Sequence, residues 1–75
     1  MKELSVTPQA RQVLNHLEKR GSISPMEAII TYGITRLAAR IFELREIGIT
    51  VLTNLKRDEN GKPYARYTLS NSGVH

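Results

Sequence analysis

The sequence predicts an α+β domain in which three helices are followed by a C-terminal β-hairpin. Apolar residues recur at steps of three and four in the first two thirds of the chain, and residues that cap helices bound these segments. A run of β-branched residues, an Asn-Gly turn and an alternating return segment predict the hairpin. A chain of 75 residues suits one small domain. We expect its ordered core over about residues 7–69, with frayed tails at 1–6 and 70–75.

The first helix is predicted over residues 8–20. Thr7 can cap its N-terminus, and Pro8 is favoured at the first helical position, where its missing N–H is not needed. Apolar side chains at positions 10, 13, 14 and 17 mark one face. Gly21 is suited to end the helix because glycine adopts a left-handed backbone conformation readily.

A second helix start follows at Ser24. Ser24 can cap the helix, Pro25 suits its first position, and Glu27 can complete a capping box. Gly33 ends this helix after about two turns. Residues 22–24, which come before it, are too few for a helix and could pair with a later strand.

The third helix is predicted over residues 35–47, with one apolar side and one polar side. The apolar stripe contains Ile34, Leu37, Ala38, Ile41, Leu44 and Gly48. The opposite side contains Thr35, Arg36, Ala39, Glu43 and Glu46, with Arg40 on its flank. We expect the core to form where Leu37, Ile41 and Leu44 pack against Val13, Leu14 and Leu17.

The hairpin is predicted from a strand at residues 49–55, a turn at Asn60-Gly61 and a return strand at residues 64–69. Its register has two solutions. A two-residue turn pairs Leu52 with Leu69 and places Leu52, Ala65, Tyr67 and Leu69 on one face, whereas a three-residue loop places Val51 beside Leu69. We favour the two-residue turn, because Asn-Gly is typical of it.

The composition and charge of the chain limit the classes of function that we expect. The formal net charge is +4 and the sequence pI is near 9.9, which favours a polyanionic partner. The chain has no cysteine, which excludes disulfides and thiolate metal sites and favours a reducing, cytoplasmic setting. No apolar run approaches the roughly 18 residues of a membrane span, so no membrane partner is expected. The carboxylates and the two histidines form no catalytic or metal-ligating set, so we expect neither an enzyme nor a cofactor.

The chain resembles the small winged helix-turn-helix proteins of bacteriophages and prophages. The resemblance rests on the segments SISPMEA at 22–28, YGITRLAARI at 32–41, ELREIG at 43–48 and NGK at 60–62, and it covers about residues 8–69. It implies a winged helix-turn-helix fold and a regulator of transcription or recombination that binds double-stranded DNA. The third helix would lie in the major groove and the hairpin, or wing, on the DNA backbone.

Candidate contacts to DNA follow from this placement. A major groove about 12 Å wide accepts one helix, and arginine can donate to both N7 and O6 of guanine. Ala39 can approach closely or contact a thymine methyl. The predicted base contacts are Thr35, Arg36, Ala39 and Arg40. The predicted backbone contacts are Ser24, Lys56, Arg57, Lys62 and Arg66. Solvated basic surfaces are the alternative interpretation of these charges.

One such unit reads only a few base pairs, so a homodimer or a protein partner is left open. The alternative function is a protein-interaction module that keeps the fold without binding DNA, for example a phage inhibitor of a host protein.

Overall fold

The computed structural model describes residues 6–70. The elements in chain order are α1 Pro8–Arg20, β1 Ser22–Ile23, α2 Pro25–Tyr32, α3 Leu37–Glu46, β2 Val51–Arg57 and β3 Pro63–Leu69. The strands form one antiparallel sheet in the order β1-β3-β2. This confirms the predicted α+β class and the predicted bounds of α1. The tails predicted at 1–6 and 70–75 lie almost entirely outside the described residues.

The helix caps form as predicted. The Thr7 side chain accepts a hydrogen bond from the Ala10 N–H, and Ser24 and Glu27 form both hydrogen bonds of a capping box. Gly33 ends α2 in the left-handed region at φ 71° and donates its N–H to the Ile29 carbonyl at 2.9 Å. The short segment before α2 forms β1 and pairs with the later strand β3, as predicted.

The third helix is shorter than predicted, because it begins at Leu37 and ends at Glu46. Thr35 and Arg36 therefore lie in the preceding turn, and the prediction that they open the helix is wrong. The physical reason is Ile34, which is fully buried. With the Ile34 side chain anchored in the core, Thr35 lies in a bend and Arg36 has a non-helical backbone before the chain enters α3.

The buried stripe of α3 is also narrower than predicted. Leu37, Ile41 and Leu44 are buried, whereas Ala38 and Gly48 are exposed. Ala38 follows Leu37 by about 100° around the helix axis, which is enough to carry it out of the contact with α1.

The hairpin has the three-residue loop, so the favoured two-residue turn is wrong. Val51 lies opposite Leu69, and Arg57 opposite Pro63. Asp58 explains this choice: its Oδ1 accepts hydrogen bonds from the Asn60 and Lys62 N–H groups, each at 2.9 Å. Its carbonyl accepts from the Gly61 N–H at 2.9 Å, and Gly61 adopts φ 81°. A turn followed by a left-handed glycine is the usual three-residue hairpin loop.

The register decides which residues reach the core. Val51, Tyr67 and Leu69 lie on the side of the hairpin that packs against it. Leu52 lies on the opposite side and is half exposed, so its predicted place beside Leu69 is wrong. The distal part of the wing extends away from the core.

The core is one cluster to which every helix contributes. Its buried members are Ala10, Val13, Leu17, Ile23, Ala28, Ile34, Leu37, Ile41, Leu44 and Val51. The predicted contact between the α1 and α3 stripes is confirmed, with Leu14 only partly buried at its edge.

Replacing Ile41 by alanine should destabilise the fold strongly. Ile41 is 1% exposed, and removing a buried side chain of this size costs about 2–5 kcal/mol. Glu46→Ala on the exposed side of the same helix is the matched control and should change the free energy of unfolding by less than about 0.5 kcal/mol. Urea unfolding followed by circular dichroism measures both. A loss below about 1 kcal/mol for Ile41→Ala would contradict a central place for Ile41.

Candidate nucleic-acid interface

The outward side of α3 carries mainly apolar side chains, and those in its first turn are small. Ala38 is exposed, Ala39 is partly exposed, and Phe42 is 61% exposed. Glu46, one turn further along, is exposed as well. Small side chains let a helix backbone approach a partner closely, and the polar groups lie at its two ends.

Phe42 is the residue that the sequence-based list of contacts lacks. Residues three and four positions before it, Ala39 and Ala38, lie on the same helix side. The sequence could have indicated the exposure of Phe42, because the 3.6-residue helical period places it on the side of α3 away from the buried residues Leu37 and Leu44.

Arg36 lies immediately before this side of α3, with Thr35 next to it, and both are exposed. The guanidinium of Arg36 makes no hydrogen bond or ion pair with any described residue. No side chain caps the N-terminus of α3, in contrast to the capped starts of α1 and α2. A free cation beside uncapped backbone N–H groups favours negative charge at this end of the helix.

Arg40 is turned toward the start of α1 and away from the outward side. Its Nε lies 3.1 Å from Glu43 Oε2, and the Oε1 of Glu43 accepts hydrogen bonds from the N–H and the hydroxyl of Thr7, each at 3.1 Å. The Arg40 Nε is buried and is not aligned for a hydrogen bond with the carboxylate. The contact between Arg40 and Glu43 is therefore an ion pair without a hydrogen bond. The Arg40 side chain is only 22% exposed.

Arg45 connects α3 to the wing. Its Nη2 donates to the Val51 carbonyl at 2.7 Å and to Thr53 Oγ1 at 2.9 Å. The two flanks of α3 are thus held by Arg40 and Arg45, which leaves its outward side to Ala38, Ala39 and Phe42.

The wing carries two lysines whose ammonium groups have no partner among the described residues. The side chains of Lys56 and Lys62 are exposed and make no hydrogen bond or ion pair within the described part of the chain. Arg57 is exposed too, but its Nη1 donates to the Gly61 carbonyl at 2.8 Å and so braces the loop. The carboxylate of Asp58 is occupied by loop N–H groups.

Ser24 and Arg66 belong to a network that joins the start of α2 to the sheet. Ser24 is 5% exposed and is engaged in the capping box with Glu27. Arg66 donates to Glu27 Oε2 at 3.1 Å and to Ser22 Oγ at 2.7 Å. Both side chains, which were predicted to contact the DNA backbone, thus make contacts within the fold.

This network sets the ionisation of Glu27. Burial acts to raise the pKa of Glu27, but hydrogen bonds from Arg66 and the Ser24 N–H, together with the charges of Arg66 and His16, outweigh it. The pKa of Glu27 therefore lies below its ordinary value of 4.5. The hydrogen bond with Glu27 in turn raises the pKa of Arg66.

Among the described residues, no three metal-ligating side chains come together, and no helix has the length and apolar character needed to cross a membrane.

Glu27→Gln should lower stability near neutral pH, and the difference from wild type should shrink in acid. A carboxylate with a lowered folded pKa stabilises the fold above its unfolded pKa, and this contribution is lost as pH falls through the folded pKa. Melting temperatures from about pH 7 to about pH 3 measure the effect. Glu59→Gln, in the exposed hairpin loop, is the control and should follow wild type. A constant gap between Glu27→Gln and wild type would contradict the network.

Comparison with known proteins agrees with this architecture. The family model described as "Winged helix-turn-helix domain" matches residues 8–72. No curated protein and no solved structure matches the chain significantly. The family match spans most of the chain, and the helices, the glycine turn and the wing follow the order of that fold. The chain therefore belongs to the winged helix-turn-helix family of DNA-binding domains.

Proposed function

We propose that this protein binds double-stranded DNA sequence-specifically and regulates transcription or recombination in the cytoplasm, as phage and prophage regulators do. In the proposed complex α3 lies in the major groove and the wing follows the DNA backbone. One observation carries the proposal within a family of DNA-binding domains: Arg36 immediately precedes α3 and the wing carries Lys56 and Lys62, and these three side chains are exposed and have no partner among the described residues. Unpaired cations can neutralise phosphates without losing a contact in the fold.

The base contacts are assigned to the start of α3. We assign contacts with base edges to Thr35, Arg36 and Ala39, because Thr35 and Arg36 are exposed just before α3 and Ala39 is partly exposed on its outward side. Arg36 can donate to both acceptors of guanine. Arg40 lies at the border of this surface and contacts DNA only by exchanging Glu43 for a phosphate. The base-contact role predicted for Arg40 is therefore the weakest of the four.

The backbone contacts are assigned to the wing, through Lys56, Arg57 and Lys62. Ser24 and Arg66 act indirectly in the proposed complex, because they fix the start of α2 against the sheet. A single unit offers few base contacts, so we infer that two copies bind adjacent half-sites or that a protein partner adds affinity.

A second function, protein binding, is favoured by the exposed side of α2. Met26 is 64% exposed and Ile30 is 74% exposed, with Ile29 beside them. An apolar helix side of this kind suits a protein partner. A protein-interaction module predicts weak duplex binding with no sequence preference, which separates it from the proposed function.

Substitutions of the basic residues should have two different effects on duplex binding, one on sequence preference and one on affinity for all sequences. Arg36→Ala should weaken binding to a selected site by about 1–3 kcal/mol and relax the preference at one base position. Lys56→Ala and Lys62→Ala should weaken binding to all sequences alike. Each should reduce the steepness of log affinity against log salt by about 0.9, from a wild-type slope of roughly −4. The measurement is a salt series on selected and scrambled duplexes.

Lys19→Ala is the matched control, since the Lys19 side chain is also exposed and has no partner within residues 6–70, but it lies on α1. It should leave affinity and salt slope unchanged. Equal wild-type affinity for the selected and the scrambled duplex would exclude sequence-specific binding, even if the binding were salt-dependent.

A further inference from the structure

We propose that α3 recognises thymine through its C5-methyl group, with Phe42 as the main contact and Ala38 and Ala39 beside it. The inference rests on the proposed function and names the base that the outward side of α3 prefers. It adds to the hydrogen bonds proposed for Arg36 an apolar contact that selects the base.

The first support is the exposure of Phe42. On the same helix Leu37, Ile41 and Leu44 are at most 3% exposed, whereas Phe42 is 61% exposed at the middle of the helix. A phenyl ring left in water contributes little to folding but gains free energy when a partner covers it. Phe42 is thus available for an apolar contact that the fold itself does not provide.

The second support is the composition around Phe42. Ala38 and Ala39 precede it by four and three residues and lie on the same side of the helix. The polar side chains on its two flanks are engaged within the fold, because Arg40 pairs with Glu43, Glu43 accepts from Thr7, and Arg45 is held by β2. The patch therefore offers a base edge no hydrogen-bond donor or acceptor.

Among the major-groove edges, only thymine presents an apolar group. Guanine, cytosine and adenine present donors and acceptors that lose hydration against an apolar patch without gaining a partner. Alanine and phenylalanine are side chains that contact the thymine methyl. Contact with Phe42 therefore favours thymine, and it disfavours cytosine at the same position.

Double-stranded DNA is the occupant that the charges favour. The patch follows directly on the free Arg36 and the uncapped start of α3, which attract phosphate. Glu46, the outward carboxylate, lies one turn beyond Phe42, at the end of the helix away from the residues that usually contact base edges.

Deoxyuridine substitution tests the inference directly. Deoxyuridine lacks the C5-methyl of thymine but keeps its hydrogen-bonding groups. Thymines of a duplex selected by the wild-type protein are replaced one at a time, and affinities are measured by fluorescence anisotropy. We expect a three- to fivefold loss at one or two positions, roughly the effect of one buried methyl group. Phe42→Ala should remove most of the difference between the two duplexes, with a small remainder from Ala38 and Ala39, and Phe42→Leu should keep a larger part of it.

Ile30→Ala is the matched control, because Ile30 is also apolar and well exposed, at 74% against 61% for Phe42, but lies on α2. It should keep the full wild-type ratio between thymine and deoxyuridine. Equal wild-type affinity for all thymine and deoxyuridine duplexes, with sequence preference intact, would overturn the inference and leave the proposed function standing. A difference of full wild-type size in Phe42→Ala would also overturn it. Loss of all sequence preference in the wild type would overturn the proposed function as well.

Discussion

The packing of Leu37, Ile41 and Leu44 into the core determines how α3 is rotated about its axis. Because the helical period is fixed, this burial decides the direction of every other residue on the helix. Two polar anchors hold the same rotation: Glu43 accepts hydrogen bonds from Thr7 on one flank, and Arg45 donates to β2 on the other. The side that remains is narrow, and it presents Ala38, Ala39 and Phe42 to a partner.

Several basic side chains make contacts within the fold and are therefore less available for binding DNA. Arg45 and Arg57 donate to backbone carbonyls, while Arg40 and Arg66 pair with glutamates. The count of eleven Lys and Arg residues therefore overstates the number of cationic side chains that are free to contact phosphate. The cations that stay free in the proposed interface lie at the start of α3 and on the wing, which limits the expected salt dependence to a few contacts.

Sequence patterns predicted the fold class, the first two helices and their caps, because local hydrogen bonds determine these features. They failed where a distant contact decided the outcome. Burial of Ile34 delays the start of α3, which moved Thr35 and Arg36 out of the helix. The side chain of Asp58 selects the longer hairpin loop over the turn that Asn60-Gly61 favours. For the site, a charge pattern alone could not show that Arg40 and Arg66 have internal partners.

The central claim is that the outward side of α3 and the wing form the surface that contacts duplex DNA. The most direct measurement is a nuclear magnetic resonance titration of the ¹⁵N-labelled protein with a selected duplex. We predict that amide shifts concentrate at residues 35–42 and 56–62, while residues 11–19 of α1 stay unchanged. Shifts confined to the exposed side of α2, around Met26 and Ile30, would contradict the claim.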